Sequence, residues 1–223
     1  VAALALISAV VMFAVTARLA NKADGVGKAL SLPPPLLRSV FTAPVIRLLS
    51  SVIAERVCFG LAAVYYATFM LQTYDLSLRA LALPLAIFAA GNILGTLAGG
   101  QLGDRIRNRM LAFALSLLTA GAVAFLLFGW YAGVLVSVAL GFAYMFFMAL
   151  SRPALMAALA NVPAEVRGTV MGLNSTAASA GWLAAAALGG WILSTVGFSG
   201  FGPLAAILAI IGAGLALAGR RKR

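Results

Sequence analysis

The chain has 223 residues, of which 64% are hydrophobic and 9% charged, and its mean hydropathy is +1.08. That balance excludes an ordinary soluble domain, whose water-facing surface requires far more polar side chains. The formal charge is +11, yet the cations fall between apolar runs rather than along one face with interleaved aromatics, which argues against a nucleic-acid groove.

A hydrocarbon core about 30 Å thick needs roughly 20 mostly apolar residues per helix. By that measure the sequence holds seven candidate spans, at residues 1–15, 52–71, 81–102, 111–130, 133–148 and beyond, 170–196 and 201–217. The fold class expected is therefore all-α, a polytopic bundle of transmembrane helices with the lipid bilayer as its solvent. The chain opens on Val1 within an apolar run and lacks the basic stretch and cleavage site of a signal peptide. It reads as truncated at its N-terminus.

A long linker follows the first span, and Pro33, Pro34 and Pro35 hold part of it extended. Residues 38–49 read as an amphipathic segment at the membrane surface, although Pro44 weakens a helix there. Glu55 and Arg56 open the second span and Asp75 ends it, both acids fitting interface pairs or snorkelling groups. The single cysteine, Cys58, lies in an apolar run, and the chain has no His. Intrachain disulfides, cysteine metal clusters and histidine chemistry are thereby excluded, and no metal or cofactor is expected.

In the third span Gly91, Gly95, Gly99 and Gly103 recur every four residues, a spacing that lets helix backbones approach closely in lipid. In the fifth, Arg152 precedes Pro153 and fits either a gate residue beside a kink or an arginine reaching headgroups. Nearly all cations share one side of the membrane: Arg18, Lys22, Lys28, Arg38, Arg47 and Arg56, then Arg105, Arg107, Arg109, Arg152, Arg167 and the tail from Arg220 to Arg223. Only Arg79 lies opposite. Cytoplasmic loops carry the Lys/Arg excess, so the C-terminus is expected in the cytoplasm of a multi-pass plasma-membrane protein.

Two motifs are specific. The run from Gly100 to Arg109, GQLGDRIRNR, joins the third span to the fourth. It resembles the signature loop of the major facilitator superfamily, roughly G-x-L-A-D-R-x-G-R-K: Gly100, Leu102, Asp104, Arg105 and Arg109 match, Gly103 stands at the alanine position, and Arg107 and Asn108 depart from the pattern. The segment from Asn161 to Asn174 resembles the same family's passage from its tenth helix into its eleventh, carried by Pro163, Glu165, Arg167, Gly168 and Gly172.

The resemblance covers the whole chain and implies its organisation. Residues 1–20 correspond to the sixth family helix, 21–48 to the cytoplasmic linker between lobes, 49–219 to the six-helix C-terminal lobe and 220–223 to a basic tail. The implied activity is secondary active transport of a small solute (a drug-like compound, a sugar or a metabolite) by alternating access, in the manner of an efflux permease or antiporter. Protons are the coupling ion considered, and a missing N-terminal half is the implied partner. In the signature loop, Asp104 flanked by Arg105 and Arg109 suits a cytoplasmic gate.

Substrate in such carriers binds near the midplane between the lobes. Polar side chains in mid-span are the candidates: Tyr65, Tyr66, Asn92, Thr96, Tyr144 and Asn174, with Ser175 beside them. Helix–helix hydrogen bonds are the alternative role for each. A seven-helix receptor is the competing reading of the span count, but it leaves the loop from Gly100 to Arg109 unexplained. A membrane-embedded enzyme requires converging acid–base groups, and the five acids are scattered along the chain.

Overall fold

The computed structural model describes residues 40–106 and 108–218, without the side chains of Gly103 and Asp104. The first expected span, most of the linker, Arg107 and the basic tail lie outside the described residues. Among these residues there are six long helices and no strand: α1 Ala43–Tyr74, α2 Leu78–Arg105, α3 Arg109–Gly129, α4 Val134–Ala160, α5 Ala164–Thr195 and α6 Phe201–Ala218, with a 3-10 turn Phe198–Gly200 before the last. All six are long and apolar enough to cross a bilayer.

The helices match the second to seventh expected spans, and four of them start earlier than hydropathy suggested, α1 and α5 by the most. Residues 43–51 are helical and continuous with the rest of α1, not a separate surface segment. Pro44 occupies the first turn, where its missing N–H has no intrahelical partner to lose, so it starts the helix instead of breaking it. α5 begins at Ala164 directly after Pro163, with Glu165 in the first turn beside the positive end of the helix dipole.

Short connections alternate the helix directions. Ser77 caps α2 by accepting from the Ala80 N–H at 3.2 Å, and Asn108 caps α3 by accepting from the Leu111 N–H at 3.3 Å. Asp75 closes α1 in the left-handed conformation (φ 49°), while Gly133 (φ 105°) and Gly197 (φ 79°) make the turns before α4 and the 3-10 segment.

Apart from α3 and α4, sequence neighbours are not the main spatial neighbours. α2 packs along α4, α3 lies against α4 and α6, and α1 lies against α5 and α6 while touching α4. The glycine stripe explains the first of these contacts. A Cβ on Gly91 would stand 2.5 Å from the carbonyl oxygen of Phe142, one on Gly95 would meet Phe146, and one on Gly99 would stand 2.8 Å from Leu150. A second stripe, Gly181, Ala185 and Gly189 of α5, meets Arg56, Gly60 and Tyr65 of α1 in the same way. In lipid, where burying apolar surface drives nothing, such close contact is what brings helices together.

Candidate transport site

Polar rungs cross the seam between α1 and α4. The Tyr66 hydroxyl donates to the Ser137 carbonyl at 3.4 Å, and the Tyr74 and Ser137 hydroxyls share a bond of 2.7 Å. The Tyr144 hydroxyl donates to the Cys58 carbonyl at 2.6 Å, and the Arg152 Nε donates to Glu55 Oε1 at 3.1 Å. Within a bilayer each of these groups needs a partner, because no water competes for it.

The last rung is charged. Glu55 is only 1% exposed, yet it lies twelve residues into α1, about 18 Å along the helix from Ala43. Arg152 lies eight residues, about 12 Å, from the C-terminal end of α4 at Ala160. The Arg56 Nε stands 3.3 Å from the other carboxylate oxygen, Oε2. The Arg152 guanidinium also lies 4.0 Å above the centre of the Phe59 ring, a cation–π contact, and Phe59 meets Trp182 edge-on at 5.5 Å.

One carboxylate thus faces two guanidinium groups. Nη2 of Arg152 is buried with no hydrogen-bond acceptor among the described residues, and buried Arg56 Nε meets Glu55 as an ion pair without hydrogen-bond alignment. Glu55 is therefore not an edge group of its span, as the hydropathy window placed it, but a buried ion-pair partner. The Arg152 guanidinium is held by Glu55 and lies over Phe59. Asp75 and Glu165, the other acids whose side chains are described, are exposed.

The candidates from mid-span polarity separate into two groups. Tyr65 (2.7 Å to the Ala186 carbonyl), Tyr66 and Tyr144 spend their hydroxyls on helix–helix hydrogen bonds. Thr96 and Ser175 bond back to their own helix, to the carbonyls of Asn92 and Met171. Asn92 and Asn174 keep buried Oδ1 atoms with no protein donor among the described residues, while the Asn174 amide reaches Met156 Sδ at 3.7 Å. Those two asparagines remain available as acceptors.

Comparison with known proteins settles the family. The family model described as Major Facilitator Superfamily matches residues 48–223, which takes in all but the first five residues of α1 and everything after it. The chain belongs to the Major Facilitator Superfamily. A search of curated proteins returned no match. Members of the superfamily are membrane transporters, so the receptor reading is set aside and the six helices are those of a transporter.

In this Major Facilitator Superfamily chain the signature loop forms the end of α2 and the start of α3. Gly100 and Leu102 are exposed on the last turns of α2, where a Cβ on Gly100 would touch nothing, and Arg105 and Arg109 are exposed. The Ile106 N–H closes the helix on the Leu102 carbonyl at 2.9 Å. Asn108, which departs from the family pattern, is the α3 cap, a role legible in an Asn one residue before an apolar run. The passage into α5 places Arg167 Nη2 3.4 Å from the Val162 carbonyl, with Gly168 and Gly172 exposed.

Proposed function

We propose that the protein is a secondary active transporter that exports a small solute across the plasma membrane by alternating access, with protons as the coupling ion. In this reading residues 49–219 form the second lobe of a two-lobed carrier, 1–20 the last helix of the first lobe and 21–48 the linker between them. The basic tail at 220–223 is cytoplasmic and an N-terminal half completes the molecule. The cytoplasmic gate uses Gly100, Leu102, Gly103, Asp104, Arg105 and Arg109, and Pro163, Glu165, Arg167, Gly168 and Gly172 shape the passage into α5. Family membership supports the transport reading, and resemblance to efflux permeases supports the direction.

The observation that carries the reading is the buried Glu55–Arg152 pair on the α1–α4 seam. A charge pair inside a membrane span is costly and marks an ion or substrate path. Among the described residues Glu55 is the buried acid, faced by Arg56 and Arg152. Asn92 and Asn174 supply neutral acceptors.

The test uses everted membrane vesicles that contain the full-length gene product. An acid lumen is expected to drive uptake of solutes from a panel of drug-like compounds, sugars and carboxylic acids. Glu55→Gln is expected to lose at least tenfold of the gradient-driven rate at equal membrane abundance. Gradient-driven uptake that Glu55→Gln leaves intact would remove Glu55 from the coupling path.

A further inference from the structure

We infer that the solute recognised at the α1–α4–α5 cluster is an organic anion: a carboxylate carried on an aromatic or planar apolar body. The inference rests on the transport reading above and narrows its substrate class. Its first ground is charge. Glu55 carries one negative charge and Arg56 and Arg152 carry two positive ones, so the cluster has an excess of +1 inside a membrane span. Neutralising that excess with one more anion lowers the cost of holding it there.

Donor geometry is the second ground. Glu55 accepts from Arg152 Nε and pairs with Arg56 Nε at 3.3 Å, whereas Nη2 of Arg152 is buried without an acceptor among the described residues. A guanidinium presents its donors in a planar fork that suits a carboxylate. Glu55 thus holds the Arg152 head in place while leaving donors on it for a ligand.

Access and shape are the third ground. Arg152 and Arg56 keep 19% and 18% of their side chains exposed, so the cluster reaches the surface of the bundle instead of closing on itself. A cation at that surface does not face hydrocarbon; it faces a water-filled path or protein. Beside it lies an apolar platform: Phe59 is held under Arg152, and Trp182, 38% exposed, meets Phe59 at its edge. Gly181 permits this approach, because its Cβ would stand 2.5 Å from that of Arg56. Charge at one end and an exposed indole at the other define a ligand with an anionic head and a flat apolar body.

The probes are benzoate, phenylacetate and indole-3-acetate, each against its neutral amide, added at constant ionic strength to the purified full-length protein in detergent. The acids are expected to raise the melting temperature while the amides do not. Arg152→Gln is expected to weaken the apparent affinity at least tenfold, and Arg152→Lys, which restores charge without the fork, to recover part of it. If Arg152→Gln does not fold, Arg56→Gln and Trp182→Leu replace it, each expected to weaken binding several-fold. Equal shifts with acids and amides, no shift with any acid, or acid shifts that survive these substitutions overturn the inference. Transport of only neutral or cationic solutes overturns it while leaving the transporter intact. Anion binding with no transport of any solute in proteoliposomes removes the transport reading instead.

Discussion

Glu55 follows Ala54 and precedes Arg56 in a helix whose remaining residues are largely apolar, and its carboxylate meets two guanidinium groups. Removing it leaves those two cations facing one another in a medium that screens charge poorly. Glu55→Ala is therefore expected to destabilise the folded protein by about 3 kcal/mol, read as a lower melting temperature in detergent. Glu55→Gln keeps an acceptor for Arg152 and loses less. If the alanine variant melts with the wild type, the pair contributes nothing to stability. Tyr144→Phe removes only a neutral bond to the Cys58 carbonyl, and its expected cost is smaller, about 0.6 kcal/mol on the scale measured for membrane helices. The sequence offered Tyr65, Tyr66 and Tyr144 as mid-span polar groups, with helix–helix hydrogen bonds as one of their two roles. It did not identify their partners, because backbone carbonyls are the same at every position and only packing selects one.

Helices carry the next level of argument. A 20-residue hydropathy window trims each span to its most apolar stretch, and that is why α1 was expected to start at 52 and Glu55 fell at its edge. The helix itself runs from Ala43, because backbone hydrogen bonding continues wherever no residue interrupts it, and a proline in the first turn interrupts nothing. The stripe of Gly91, Gly95 and Gly99 was legible as a packing face; its counterpart, Phe142, Phe146 and Leu150 of α4, was not. Gly95→Leu is expected to wedge α2 from α4 and to cost about 2 kcal/mol or more, lowering the yield of folded protein in size-exclusion profiles. A normal profile and melting temperature would show that the helices are not held at that distance. Asn108→Ala removes the α3 cap and is expected to cost about 1 kcal/mol, while Asn108→Asp, which also accepts, preserves stability.

At the scale of the whole molecule the six helices alternate in direction through connections at residues 75–77, 106–108, 130–133, 161–163 and 196–200. Cysteines introduced at Ser77 and Trp130 are expected to react with a membrane-impermeant maleimide from one face of the membrane, and one at Asn161 from the other. Native Cys58 is buried, with Sγ 3.6 Å from the Ala205 carbonyl, and is expected to stay unlabelled until the protein is denatured. Labelling of all three positions from the same face would overturn the alternation. What residues in order determined on their own was the solvent, the approximate spans, the superfamily motifs and the small-residue faces, since these depend on composition and local spacing. Tertiary structure alone decided that α2 pairs with α4, that α1 lies against α5 and α6, and that Glu55 meets Arg152. Those pairings join residues as far as 161 positions apart. Several apolar helices in lipid are nearly interchangeable neighbours until close packing and a few polar rungs select among them.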